Sequence, residues 1–88
     1  MHIFKYKVGC YEKTTIHLPP KFRWLHAGLD PQGDMCVWAA VPFVHDVYPV
    51  EVVVKPTGPH VLNGDEIHIG TVKDGELMWH IFQLPQFK

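Results

Sequence analysis

The sequence predicts an all-β protein, a small antiparallel β-sandwich or open β-barrel of about seven short strands with little or no helix. Three observations lead there. Short stretches of the chain alternate apolar with polar residues or run on in β-branched ones. Gly, Pro, Asn and Asp punctuate the chain between those stretches, where turns need them. No stretch shows the apolar spacing of a helix. With 88 residues, one domain with a thin core is expected, folded over 1–84 with 85–88 as a tail.

The strands follow in order. His2 to Val8 sets Ile3, Lys5 and Lys7 against Phe4, Tyr6 and Val8, the pattern of a half-buried strand. Gly9 to Lys13 is a turn. Thr14 to Leu18 is a β-branched strand ended by Pro19-Pro20, after which the chain is expected to restart extended at Lys21. Phe22 to Leu29 and Met35 to Val41 form a hairpin around Asp30-Pro31-Gln32-Gly33-Asp34. Proline first and glycine third in the loop fit a bulged three-residue turn. That register puts Leu25, Ala27, Leu29, Met35, Val37 and Ala39 on one face. Phe22, Trp24, His26, Gly28, Cys36, Trp38 and Ala40 take the other, with His26 opposite Trp38. Pro42 to Val47 is a loop, Tyr48 to Lys55 a strand with Pro49 at an edge or a strand start, and Pro56 to Asp65 the longest irregular segment.

A second hairpin, Glu66 to Leu84, closes the chain around Lys73-Asp74-Gly75. Two loop residues or three would serve, and the choice moves every pairing by one. A three-residue loop with Gly75 in the left-handed position gathers Ile67, Ile69, Thr71, Leu77, Trp79 and Ile81 on one face. Glu66, His68, Gly70, Val72, Glu76, Met78, His80 and Phe82 fall on the other. Burial favours that sorting, and it places His68 directly opposite His80 and Gly70 opposite Met78.

Composition excludes several functions. Eight basic and nine acidic residues give a net charge of −1, which lacks the basic footprint of a nucleic-acid binder. No apolar run approaches ~20 residues, so no membrane span is expected, and MHIFKYKV is too short and too alternating for a signal peptide. Cys10 and Cys36 are too few for a disulfide scaffold and read as reduced thiols of a cytoplasmic protein.

The chemistry-bearing residues point to binding and to no catalytic set. Cys36 is a diagonal neighbour of His26 with no electropositive setting to activate it, so a buried thiol is expected. Asp30 and Asp34 bracket a turn and read as turn chemistry. His68 and His80 are metal-ligand candidates that need a third donor from Glu66, Glu76 or His60, so neither a metal nor a cofactor is expected. Thr57, Gly58 and Asn63-Gly64 could offer backbone amides to an anion, with Lys55 as the adjacent cation. The surplus of aromatic and His residues outside one small core reads as a protein interface: Trp24, His26, Trp38, His68, Met78, His80 and Phe82.

Several elements together resemble a family of small uncharacterised proteins encoded by tailed bacteriophages. They are Phe4-Lys5-Tyr6, Leu18-Pro19, Cys36-Val37-Trp38-Ala39-Ala40-Val41, His68-Ile69-Gly70-Thr71-Val72 and Trp79-His80-Ile81-Phe82, with a Thr57-Gly58-Pro59-His60 loop. In that loop the family tends to carry Gly-Thr-Gly-His, so the His is displaced here by one residue. The resemblance spans nearly the whole chain. It implies a phage accessory protein acting in the host bacterial cytoplasm and supplies no activity; from the lack of a catalytic set, no enzyme is expected. The expected function is steric inhibition of a host bacterial protein, a defence component such as a CRISPR effector being one target class. Homo-oligomerisation is a further expectation, and no nucleic-acid or membrane partner is. A protein that sequesters a nucleotide signal, or a virion accessory or assembly protein, is the alternative.

Overall fold

The computed structural model describes residues 1–43, 46–59 and 62–86. Among them the chain forms seven strands and no helix: β1 (His2–Lys7), β2 (Lys13–Leu18), β3 (Arg23–Leu29), β4 (Met35–Val41), β5 (Tyr48–Pro56), β6 (Ile67–Asp74) and β7 (Leu77–Gln83). They pair antiparallel in two sheets, β1-β4-β3 and β2-β5-β7-β6. Pro49 is the second residue of β5, which lies inside its sheet, so this proline marks a strand start and not an edge. Val44, His45, His60, Val61, Phe87 and Lys88 lie outside the described residues, and with them parts of the two expected loops and of the expected tail.

The inner faces of the two sheets meet in one core. Val37 and Ala39 of β4 pack toward Val50, Val52 and Val54 of β5, Ile81 and Trp79 of β7, and Leu18 of β2. Each fully buried Val, Leu or Ile contributes about 1.5–3 kcal/mol of transfer free energy, so this cluster is what holds the layers together. Among the described residues the two sheets approach strand to strand along one margin. There β3 packs alongside β6, and the Trp24 indole donates to Gln83 Oε1 at 2.9 Å. Gly70 faces Ala27 so closely that a Cβ on it would stand 2.8 Å from the alanine methyl. At the opposite margin the start of β1 and the end of β2 leave a cleft lined by His2, Phe4, Tyr6, His17 and Pro19.

The β3–β4 hairpin has the expected loop. Pro31-Gln32-Gly33 connects Asp30 and Asp34, whose backbones are hydrogen-bonded just beyond the Leu29–Met35 pair; Gly33 has φ +84°, and His26 pairs with Trp38 and Gly28 with Cys36. One correction applies further along. The register shifts between Trp24 and His26, leaving Leu25 as an extra residue that is 41% exposed. Trp24 therefore pairs with buried Ala39 and, with Phe22, packs against the core and not on the outer aromatic face. Leu29, expected inside, is exposed at the end of its strand.

The β6–β7 hairpin corrects the expected register. Asp74 pairs directly with Leu77, so the loop is Gly75-Glu76. Gly75, at φ +62°, takes the first position of a type II′ connection. Val72 is opposite Trp79 and Gly70 opposite Ile81, all turned inward, while Thr71 and not His68 stands across from His80. A second bulge follows between His68 and Gly70, which leaves Ile69 extra and returns His68 to the outer face opposite Phe82. Ile67 and Leu77, expected in the core, are 52% and 53% exposed. The physical reason is Gly70. The close approach of β3 admits no side chain there, so Gly70 must face inward and the parity of β6 follows from it.

Two smaller corrections concern the ends of elements. Lys21 does not restart the chain extended. Its φ is +65°, which, following Pro20, is the pattern of a type II turn. Residues 84–86 continue along β5, with the Leu84 N–H donating to the Glu51 carbonyl and the Gln86 side-chain amide to the Pro49 carbonyl.

Candidate functional site

The period-2 alternation of β7 sends Trp79 and Ile81 into the core and Met78, His80 and Phe82 outward. Opposite them, the β6 bulge brings His68 and Thr71 onto the same outer face. The result is one continuous chain of polar side chains. His68 Nε2 lies 3.0 Å from Thr71 Oγ1, Thr71 Oγ1 lies 3.0 Å from His80 Nδ1, and His80 Nε2 lies 2.7 Å from Thr57 Oγ1. Thr57 is held in place by its own N–H, which donates to the Met78 carbonyl at 3.1 Å. Two neutral arrangements satisfy every link, with the hydroxyl and imidazole protons all pointing one way along the chain or all the other. The His68 ring also leans on the Phe82 ring, with centroids 5.4 Å apart. An open hollow of about 230 Å³ adjoins the chain, lined by Lys55, Pro56, Thr57, Gly58, Leu62, His80 and Phe82.

The loop amides expected to receive an anion are already engaged. The Glu66 carboxylate accepts the N–H groups of Asn63 and Gly64, both at 2.9 Å. The Asn63 N–H, first among these contacts, holds the Glu66 carboxyl below its ordinary pKa. Glu66 is thus committed to its loop, Glu76 sits in the turn, and His60 lies outside the described residues. Among the described residues no three His, Cys, Asp or Glu side chains gather where they could hold a metal.

The outer face of the β1-β4-β3 sheet carries the other expected residues. Trp38 is at its middle, flanked across the ladders by Lys5 and His26, whose ring lies 5.4 Å from the indole. The Leu25 bulge brings Arg23 opposite Ala40 on this same face, away from Trp24. At one end Asp30 is buried, its side chain 4% exposed. It accepts from Lys5 Nζ at 2.9 Å, from the N–H groups of Gln32 at 3.0 Å and Asp34 at 2.9 Å, and from the Cys36 thiol at 3.7 Å. The Lys5 hydrogen bond, then the Asp34 amide, hold its carboxyl at a pKa of about 2. Burial, reinforced by the Asp30 charge, pushes the Cys36 thiol up. Cys36 is fully buried, so it is an inert thiol and no nucleophile.

The interface candidates therefore divide. His68, Met78, His80 and Phe82 share one outer face, His26 and Trp38 share the opposite one, and Trp24 belongs to the core. A further surface escaped the sequence reading. At the open margin Phe4 is 46% and Phe43 73% exposed, with the His2 imidazole between them, stacked on Phe4 at 5.5 Å and edge-on to Phe43 at 4.4 Å. Ile3, Val47 and Tyr48 are exposed as well. The alternation of β1 marked Phe4 as inward-facing, which is right for its direction. Only the strand order shows that no strand among the described residues covers that margin.

A family model spanning residues 1–88 matches this chain, described as a domain of unknown function, DUF7352. The chain belongs to the DUF7352 family. No curated protein and no solved structure matches it. For this DUF7352 chain, the arrangement of side chains is a guide to function. It offers a relay of hydroxyl and imidazole groups on one face, a tryptophan among cations on the other, and an uncovered aromatic margin.

Proposed function

We propose that this DUF7352 protein is a non-enzymatic binding module that docks on a partner protein and blocks it by covering a surface. The observation that carries the reading is the aromatic margin of Phe4, Phe43 and His2, joined by Val47. Aromatic side chains held by a sheet lose little freedom on binding and bury large areas, the property that makes such residues interface anchors. Alongside them, β1 is an edge strand whose outward backbone groups are available for pairing with an extended segment of the partner. In keeping with the resemblance to tailed-phage proteins, the proposed partner is a host bacterial protein met in the host cytoplasm, and the proposed role is that of an accessory inhibitor. The nucleotide-sequestering alternative loses Trp24 to the core and keeps Trp38, which shares the outer face with Lys5 and Arg23; a virion role would need the protein in purified particles.

The test is affinity capture from bacterial lysate with the intact protein, with Phe4→Ser/Phe43→Ser, and with Met78→Ser/Phe82→Ser. A partner retained by the last and lost at least about tenfold by the first is the expected result. Recovery of no specific protein, or recovery unaffected by the Phe4/Phe43 change, would falsify the reading.

A further inference from the structure

We infer that His68 and His80 form a two-nitrogen binding site for a divalent ion of the zinc, copper or nickel class. Both imidazoles aim a ring nitrogen at the same atom. Nε2 of His68 and Nδ1 of His80 are each 3.0 Å from Thr71 Oγ1, so the two nitrogens converge from either side of one point. An ion there is bound at about 2.0–2.1 Å from each nitrogen. It takes the place of the Thr71 hydroxyl, whose exposed side chain turns to another rotamer. Water or a partner's donor fills the remaining coordination positions.

A second observation favours the same use. A metal-binding imidazole works best when its other nitrogen donates to a fixed oxygen, which sets both tautomer and ring orientation. His80 has that arrangement already: its Nε2 is 2.7 Å from Thr57 Oγ1, and Thr57 is anchored by its N–H to the Met78 carbonyl. The Phe82 ring steadies His68. With the Nε2 proton of His80 given to Thr57, Nδ1 presents its lone pair, and His68 carries its proton on Nδ1. Either neutral arrangement of the polar chain reaches this state when one ring exchanges its proton through water.

The surroundings also choose the ion. Lys55 stands across from His80 on β5, and Lys73 follows Thr71 on β6 after Val72. Cations nearby disfavour calcium or magnesium, which are held by charge and need carboxylate or carbonyl oxygens. Ions bound through imidazole nitrogen tolerate them.

The experiment is calorimetric titration of the intact protein with zinc chloride, followed by histidine ring NMR on the same sample. One ion per chain is expected, with the His68 and His80 ring signals moving first. His68→Ala weakens binding at least about tenfold, and Thr57→Val, which removes a group that never touches the ion, does so by roughly tenfold. His17→Ala, on β2, changes nothing. His68 is exposed, so its substitution leaves the core intact, and the NMR of the unaltered chain reports on His80 without any substitution. Absence of saturable binding, an isotherm unchanged by His68→Ala, or first movement of other histidine signals overturns the assignment.

Discussion

The β3–β4 and β6–β7 hairpins carry similar turn signals and close differently. Both place an aspartate and a glycine between apolar strands, and in both the glycine has a positive φ, +84° at Gly33 and +62° at Gly75. In the first, Pro31 presets the backbone. The Asp30 carboxylate, gripped by Lys5, collects the amides of Gln32 and Asp34, so three residues form the loop. In the second, no proline and no buried acid organise the turn. Gly75 can then lead a two-residue loop, and its register is settled by packing far from the turn, where Gly70 meets Ala27. A turn specifies register when it carries its own hydrogen-bonding acceptor. Otherwise the tightest contact along the strands decides.

That contrast can be broken at its strongest point first. Gly70→Ala drives a methyl against Ala27, a backbone-fixed neighbour, and should cost about 1–3 kcal/mol in urea unfolding. Gly28→Ala in the other hairpin meets only the exposed His26 ring, which can swing aside, so its unfolding midpoint should stay close to that of the parent. Equal losses from the two would show that the β3–β6 contact does not set the register. Gly75→Ala comes next. Its left-handed backbone should cost about 1–2 kcal/mol and leave the Val72–Trp79 pairing intact by cross-strand NOE, since the turn follows the register and does not impose it.

The mildest probe changes only pH, and it should single out the first hairpin. The Asp30 carboxyl is held at about 2, chiefly by Lys5, below its ordinary value of 3.8. A carboxylate with a depressed folded-state pKa contributes stability that is fully present above the unfolded value. That contribution is lost as pH falls through the folded one. Urea midpoints should therefore fall between about pH 4 and pH 2, and Asp30→Asn should flatten that part of the profile. A slope unchanged by the substitution would assign the acid sensitivity to other carboxylates.

These residues also show how far the chain could be read unaided. The all-β class, the order of the strands along the chain and the Pro31–Gly33 loop were legible, because alternation and turn chemistry are local. So was the outward set Met78, His80 and Phe82, which needs only the period of one strand and a buried Trp79. The pairing of Thr71 with His80, the inward turn of Trp24 and the bulges at Leu25 and Ile69 were not. Each depends on which strands of different sheets come close, a fact no short stretch encodes. The bare margin at Phe4 and Phe43 was hidden for the same reason, since exposure there belongs to the strand order.

The tryptophan-to-glutamine bond between β3 and β7, together with the glycine contact beside it, gives the two layers a spine. The far side, where Phe4 faces His17 and Pro19 across the cleft, is then a fore-edge. A visitor entering there disturbs neither sheet's internal ladder, and the aromatic side chains it meets are already in place to receive it.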